Sequence, residues 1–127
     1  MVQAGAINAA ALVARQLIAD ADEIEETRRF PATITDALIA SGMLRMLLPK
    51  VYGGGEVDPG TYLQAVIALA KGDGSVAWNV FVANSAALIA PFLPETSAHA
   101  IFDDPAALIA WGPPNGQGTK VVEGGYL

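Results

Sequence analysis

Few residues in this sequence are of types that do chemistry, and most of those are acidic side chains in one short stretch. The stretch contains Asp20, Asp22, Glu23, Glu25 and Glu26. Clustered carboxylates suggest metal binding or acid–base chemistry, but a carboxylate-bridged di-iron site needs Glu-x-x-His pairs on facing helices, and His99 is the only histidine. Glu25 is also spaced to pair with Arg28 and Arg29 along a helix. We therefore expect a solvated acidic face and no metal site.

A glycine-rich loop, PKVYGGG at 49–55, is the one segment with the look of a phosphate cradle. No Gly-Lys-Ser/Thr sequence follows it, so the pattern favours a tight backbone turn over a phosphate-binding loop. Ser97 is too close in sequence to His99 to suggest a catalytic triad, and no Gly-x-Ser-x-Gly motif is present. For His99 we expect a partly exposed helix position.

Composition excludes several further classes. The chain has 127 residues and no cysteine, which removes disulfides, thiolate zinc sites and thiol catalysis and is compatible with a cytoplasmic location. The net charge of -6 leaves no basic stripe for nucleic acid. Apolar residues make up 53% of the chain and charged residues only 16%. This balance predicts one core and additional surface that is covered by a partner or by another domain.

The segment 74–94 carries no charge and is about long enough to span a bilayer. Asn79, Asn84 and Ser85 interrupt the apolar run, Pro91 and Pro94 break its end, and its flanks lack a Lys/Arg cluster and an aromatic belt. A helix that is apolar all round is otherwise the central helix of a larger protein. We therefore expect a core helix and no membrane contact.

Helical spacing dominates the sequence before residue 104. Apolar residues with alternating steps of three and four are Ile7, Ala10, Ala14, Leu17, Ala21 and Ile24. A second helix is expected to begin at Pro31 and to end before Gly42. A third is expected between Asp58, as its N-terminal cap, and Gly72. Asp73 or Ser75 would cap the long apolar helix, and Pro94 would begin a short one.

The pattern changes after Pro105. Residues 107–111 (ALIAW) predict a buried strand, 112–116 a loop, and 119–122 a second strand. Residues 123–125 (EGG) predict a hairpin turn that leads into a third strand. Because an unpaired strand edge is a liability, we expect a β-domain to continue from this point.

Several motifs, in their order and spacing, resemble one known family over residues 10–127. The segments RFP…L at 29–38, SGM at 41–43 and LPKVYGG at 48–54 resemble the N-terminal helical domain of acyl-CoA dehydrogenases. The segments GDGSVAW at 72–78 and WGPP…EGGY at 111–126 are more similar to the hydroxylase branch of that family, the two-component flavin monooxygenases.

The resemblance implies a mainly α fold and a division of the chain into two parts. Residues 1–104 would be the N-terminal helical bundle of the acyl-CoA dehydrogenase type, and residues 105–127 the first strands of a truncated middle β-domain. The family's whole fold adds a C-terminal four-helix bundle. Most of the flavin pocket and the usual catalytic residues would therefore lie beyond this sequence, and no catalytic residue is assigned within it.

The resemblance also implies two sets of site residues. Trp111, Gly112 and Pro113 match the strand and loop that run along the flavin ring of FAD or FMN. The family's dehydrogenases have Thr-Glu-Pro in this loop, and Gly112-Pro113-Pro114 lacks that threonine hydroxyl. The long helix matches one that lines the substrate cavity. The residues expected near the substrate are Trp78, Val82 and Ser85.

The function implied is that of a flavin-dependent oxidoreductase. The hydroxylase branch implies a monooxygenase that acts on a small aromatic or apolar substrate with reduced flavin and O2, with a flavin reductase as partner. One alternative is an acyl-CoA dehydrogenase, which oxidises the alpha–beta bond of an acyl thioester. A helical interaction module without chemistry is the second alternative. The family also implies a homo-oligomer, a dimer or tetramer.

Overall fold

The computed structural model of the chain describes residues 3–112 and 120–126. Helices make up nearly all of the regular structure in these residues, which confirms the mainly α fold. The α-helices are α1 (Gln3–Thr27), α2 (Ala32–Ala40), α3 (Pro59–Ala70), α4 (Gly74–Ala87) and α5 (Glu95–Phe102). Short 3₁₀ turns occupy Met43–Arg45, Lys50–Tyr52 and Ala90–Phe92, and the strands are β1 (Val121–Val122) and β2 (Gly125–Tyr126).

The main core lies where α1 packs along α3, and α3 in turn packs against α4. The buried side chains of α1 are Ala6, Ala10, Val13, Ala14, Leu17 and Ile24. Several of these are alanines, so the helices approach closely. A Cβ on Gly72, at the end of α3, would overlap the backbone of Ala14. Glycine at this position therefore allows α1 to lie directly against the α3–α4 connection.

The predicted helix ends are confirmed by their caps. At the start of α3, the Asp58 carboxylate accepts hydrogen bonds from the Thr61 hydroxyl at 2.6 Å and from the Thr61 amide at 3.0 Å, and these two bonds lower the pKa of Asp58. Asp73 accepts from the Val76 amide at 2.8 Å at the start of α4. Gly42 follows α2 with a left-handed φ of 70°, which few other residues adopt without strain.

The strand prediction for residues 107–111 is wrong, because this segment is extended but pairs with no strand in the described part of the chain. A strand needs a neighbour to satisfy its backbone groups, and α4 provides side chains instead. The hairpin prediction is confirmed for residues 121–126, where β1 and β2 are antiparallel and Gly124 turns with a φ of 84°. Thr119 and Leu127 lie outside the described residues.

By length and composition alone, the segment Gly74–Phe92 is apolar enough to cross a membrane. In the folded chain, 44% of its most apolar 18-residue stretch is buried. A core helix satisfies the same criteria. The α-helix itself ends at Ala87 and is followed by the 3₁₀ turn at Ala90–Phe92. Its inner face packs in the core, as expected for the central helix of the domain.

Candidate functional site

The two faces of α4 differ in burial. Its inner face is buried and contains Val76, Ala77, Val80, Ala83, Asn84 and Ala87. Its outer face contains the three residues expected near a substrate, which are Trp78, Val82 and Ser85. Steps of four and three residues place these three side chains on one side of the helix. Asp73 holds the beginning of α4 in place, so α4 presents its outer face in a fixed orientation.

Asn84 fastens α4 to the turn that follows α2. Its side chain is fully buried, and its Nδ2 donates to the Met43 carbonyl at 2.8 Å and to the Val80 carbonyl at 2.8 Å. Its Oδ1 accepts from the Leu47 amide at 3.0 Å. A buried amide with all of these groups paired stabilises one specific packing arrangement. Asn84 therefore fixes the distance between α4 and residues 43–47.

Ser85 connects α4 to the segment that follows the helical bundle. Its hydroxyl donates to the Val82 carbonyl at 3.0 Å and accepts from the Trp111 indole Nε1 at 2.9 Å. The Trp111 side chain remains 53% exposed. Thus a residue expected near the substrate and a residue expected near the flavin are in direct contact, although they are 26 positions apart in the sequence.

An apolar pocket of about 120 Å³ lies between α2, α4 and residues 108–110. Val82 lines this pocket, as do Phe30 and Leu38, and Thr35 and Asn79 are the polar residues among its lining. The extended segment 107–111, which pairs with no described strand, covers the pocket with Leu108, Ile109 and Ala110. The pocket is therefore formed jointly by the bundle and by the segment that leaves it.

Trp78 lies away from this apolar pocket. Its ring stacks on Phe81 with ring centroids 5.5 Å apart, and its side chain is 60% exposed. With Val66 and Ala77 it lines a shallow groove of about 260 Å³ between α3 and α4. The structure thus brings Val82, Ser85 and Trp111 together around one end of α4, whereas Trp78 lies at the other.

The described residues supply at most one wall for a flavin. Gly112 is exposed beside Trp111, and Pro113 lies outside the described residues. The Trp111 N–H is already committed to Ser85, so its exposed ring face is what remains for a flavin to contact. A complete flavin site needs additional residues, and the described part of the chain does not fit one alone.

The glycine-rich loop 49–55 is a structural turn, as its sequence suggests. Successive amides donate within the chain: Gly53 to Lys50 at 2.9 Å, Gly54 to Pro49 at 3.1 Å and Gly55 to Arg45 at 2.8 Å. A phosphate cradle requires backbone N–H groups that point at the ligand. The amides of Gly53, Gly54 and Gly55 are already used, so this loop cannot serve as the flavin's phosphate site.

The acidic stretch at the end of α1 is solvent-facing, and its predicted ion pairs are absent. Within residues 3–112 and 120–126, neither Arg28 nor Arg29 lies within 4.0 Å of the Glu25 carboxylate. The reason is that α1 ends at Thr27 and Arg28 adopts a left-handed φ of 53°, which breaks the helical spacing. The same residues show no group of three or more metal-binding side chains.

Glu25 and Arg28 instead line a wide cleft. This cleft of about 680 Å³ lies between the end of α1 and the beginning of α4. Phe30, Asp73, Ser75 and Asn79 complete much of its wall. Hydrogen bonds from Ser75 and from the Val76 amide lower the pKa of Asp73, although burial opposes them. The cleft is thus polar along the α4 cap and apolar at Phe30.

His99 lies at the surface on α5, as expected. Its Nδ1 is 2.7 Å from the Asp103 carboxylate, and its ring meets Tyr52 edge-on with centroids 5.3 Å apart. The hydrogen bond with Asp103 raises the pKa of His99. Neither His99 nor Asp103 lines the apolar pocket or the wide cleft. The pair has the character of a structural contact between α5 and the 3₁₀ turn at Lys50–Tyr52.

Sequence reasoning missed two polar residues that connect distant elements of the fold. In the sequence, Asn84 was noted only as an interruption of an apolar run. A polar residue on the buried face of a helix needs hydrogen-bond partners, and this was the available signal. Arg45 was not singled out at all. Its Nη2 donates to the Phe102 carbonyl and ties the turn after α2 to α5, while burial lowers its pKa against the opposing charges of Asp104 and Asp103.

The family model described as acyl-CoA dehydrogenase, N-terminal domain, matches residues 4–97. The chain therefore belongs to the acyl-CoA dehydrogenase family, and residues 4–97 correspond to its N-terminal domain.

Two curated relatives of this chain are named as monooxygenases. Indole-3-acetate monooxygenase from Pseudomonas putida is 30% identical over 106 residues, which cover 82% of this chain and 27% of that protein. The flavin-dependent monooxygenase, oxygenase subunit HsaA, from Rhodococcus jostii (strain RHA1) is 30% identical over 118 residues, which cover 84% of this chain and 28% of that protein. The chain thus spans little more than a quarter of the length of these relatives.

Proposed function

We propose that the protein carrying this chain is a flavin-dependent monooxygenase that hydroxylates a small aromatic or apolar substrate with reduced flavin and O2. The observation that supports this most directly is the hydrogen bond between Trp111 and Ser85 beside the apolar pocket. It joins the segment expected along the flavin to the helix expected along the substrate. Two relatives named as monooxygenases favour the same chemistry.

Reduced flavin supplies oxygen activation, and this chain supplies part of a dry substrate pocket. Phe30, Leu38, Val82 and Ile109 give the space between α2 and α4 apolar walls, and exclusion of water by such walls would suppress side reactions of an activated cofactor. Ser85 holds Trp111 at the margin of that space. The role assigned to these residues is binding and shielding.

The remaining features of the proposal follow from the family. Residues 1–104 would form the N-terminal domain, and residues 105–127 would begin a β-domain. The cofactor would be FAD or FMN, and the name of one relative, an oxygenase subunit, favours a separate flavin reductase as partner. A homo-oligomeric cytoplasmic enzyme, a dimer or tetramer, is proposed on the same basis.

The decisive experiment supplies the protein that carries this chain with chemically reduced FAD or FMN, ¹⁸O2 and a panel of phenols and indoles. A hydroxylated product with one ¹⁸O atom is expected by mass spectrometry. Val82→Trp should fill the pocket and weaken turnover, whereas Phe92→Ala should not, because Phe92 is 84% exposed and lines neither the pocket nor the cleft. Oxidation of an acyl thioester without oxygen incorporation would contradict the proposal and favour the dehydrogenase.

A separate measurement tests the single-wall interpretation of the flavin site. We expect the 127-residue chain alone to bind FAD and FMN weakly, because one wall provides too few contacts to offset the lost freedom of association. Titration with detection of Trp78, Trp111 and flavin fluorescence measures this directly. Saturation at low micromolar concentration, about 7 to 8 kcal/mol, would show that the chain contains a complete pocket.

A further inference from the structure

The segment 103–111 crosses the bundle without a strand partner among the described residues, so side chains of the bundle have to hold it in place. At the end of the segment, the Trp111 indole donates to the Ser85 hydroxyl. Just before its beginning, the Arg45 Nη2 donates to the carbonyl of Phe102, the last residue of α5. The segment therefore runs between two hydrogen bonds to the bundle.

Arg45 also lies beside the middle of this segment. Together with Phe102 and residues 107–109 it lines a cavity of only about 10 Å³. A space of this size holds about one water-sized probe, so the residues around it pack closely. Ile109 is half-buried and packs against the same apolar cluster as Phe102. Arg45 is thus a neighbour of the segment two residues before Trp111.

The surroundings of Arg45 favour one position of its guanidinium. Burial lowers the pKa of Arg45, and the charges of Asp104 and Asp103, at the beginning of the segment, oppose this effect. A Cβ on Gly53 would come within 3.3 Å of the Arg45 Nη1, so the guanidinium also lies against the glycine-rich loop. A cation beside the last carbonyl of a helix is favourable, because that end carries a partial negative charge.

One atom of Arg45 has no partner. Its Nε is buried and donates no hydrogen bond to any residue that the structure describes. A buried N–H without an acceptor costs free energy, and an apolar side chain often stabilises such a position at least as well as a charged one. Stability of the bundle alone is therefore a poor reason for an arginine here. The hydrogen bond from Nη2 to Phe102 is the feature that an apolar side chain would not supply.

We propose that Arg45 is a positioning residue for the segment 103–111, and that it sets the place of Trp111 by holding the beginning of that segment at Phe102. With Phe102 and Ile109 fixed, little conformational entropy is left to lose when Trp111 meets Ser85. A contact between Trp111 and flavin rests on the proposed function. The dependence of Trp111 on Arg45 rests only on the contacts within this chain.

The test compares the segment with the bundle in Arg45→Met, which removes the donor and keeps an apolar stem of similar length. Hydrogen exchange of the Trp111 indole N–H, followed by NMR, reports on the contact with Ser85, and urea unfolding followed by circular dichroism reports on the bundle. We expect exchange about tenfold faster, the scale of one lost hydrogen bond to a charged group, with a nearly unchanged unfolding midpoint. Unchanged exchange would overturn the proposal, as would a midpoint that falls in step with faster exchange.

Three further variants serve as controls. Arg15→Met makes the same change at an exposed arginine of α1 and should alter neither measurement. Arg45→Lys keeps the charge and a donor, so its exchange rate should return towards that of the unaltered chain. Ser85→Ala removes the acceptor of the indole N–H, and adding Arg45→Met to it should speed exchange no further. A tenfold increase in that double variant would show that Arg45 acts elsewhere and would overturn the proposal.

Flavin binding separates this proposal from the monooxygenase function. In the protein that carries this chain, Arg45→Met should weaken the binding of FAD or FMN several-fold, whereas Arg15→Met should not. Faster indole exchange with unchanged flavin binding would support the role of Arg45 and remove Trp111 from the flavin wall. Unchanged indole exchange would overturn the role of Arg45 and leave the monooxygenase proposal in place.

Discussion

Asn84 and Ser85 are adjacent in the sequence but serve the two faces of α4 in different ways. The Asn84 amide is fully buried, and its hydrogen bonds hold together elements that are far apart in the sequence. The Ser85 hydroxyl is half-buried and holds Trp111, which remains largely accessible. The inner face therefore fixes the position of the helix, and the outer face is available to a ligand. A polar residue in an apolar helix must be assigned to one face before its role can be inferred.

Among substitutions on the two faces of α4, replacement of Asn84 should cause the largest loss of stability. Asn84→Leu leaves the Met43 carbonyl and the Leu47 amide buried without their partner, which we expect to cost about 3 kcal/mol of the free energy of unfolding. Urea unfolding followed by circular dichroism measures the change. Ser85→Ala, one residue away on the outer face, is the matched control and should cost less than about 1 kcal/mol.

An equal loss from Asn84→Leu and Ser85→Ala would contradict the division of α4 into two faces. Asn84→Asp gives a sharper comparison, because a carboxylate retains an acceptor for Leu47 but cannot donate to Met43 while it is ionised. This variant should be strongly destabilised at neutral pH and should recover part of its stability under acidic conditions.

The helices could be predicted from the sequence because their signals are local. Asp58 caps α3 and Asp73 caps α4, and each carboxylate accepts a hydrogen bond from an amide only three residues further along the chain. The role of Asn84 could not be predicted in this way, since Met43 is 41 positions away. The error at 107–111 has a related cause. A run of apolar residues predicts burial, but whether the backbone finds a strand partner depends on distant parts of the chain.

The candidate site, too, could be predicted only as far as local sequence signals reach. Helical spacing alone places Val82 and Ser85 on one side of α4, and the resemblance identified that side. Trp78 lies on the same side, yet it falls outside the apolar pocket because its ring stacks on Phe81. The contribution of Phe30 to both the cleft and the pocket depends on how the α1–α2 connection is folded, for which the sequence carries no spacing signal.

A smaller loss of stability is expected from changes at the beginning of α4, where the cap fixes the orientation of the whole helix. Asp73→Ala removes the carboxylate that accepts from the Val76 amide and should cost about 1 kcal/mol of stability, as is usual for the loss of an N-terminal cap. Asp73→Ser keeps a capping oxygen and should retain most of that stability. Thermal unfolding of the two variants gives the comparison, and equal losses would show that the cap contributes nothing.

Trp111→Phe should affect only the outer face. The indole N–H is the donor to Ser85, and the partly exposed contact should contribute at most about 1 kcal/mol to stability. Its removal should leave the unfolding midpoint nearly unchanged but should shift the NMR signals of Ser85 and Val82. Unchanged signals at both residues would mean that segment 107–111 is not held against α4 in solution.

The same contrast between neighbouring residues recurs on α5, where Ala98 is fully buried and His99 lies at the surface beside Asp103. The hydrogen bond to the Asp103 carboxylate is the main reason that the pKa of His99 is raised; desolvation opposes it, and the charges of Asp103 and Glu95 raise the pKa further. Tyr52 also contacts the His99 ring, with an edge-on aromatic arrangement.

A raised pKa in the folded state means that protonated His99 stabilises the fold. This contribution is complete below the ordinary histidine pKa of about 6.5 and is lost as pH rises through the higher folded value. Urea unfolding at a series of pH values from about 5.5 to 8.5 should therefore show a stability decrease that His99→Gln lacks. Asp103→Asn should flatten the profile in the same way, whereas a decrease that persists in both variants would assign the pH dependence to another group.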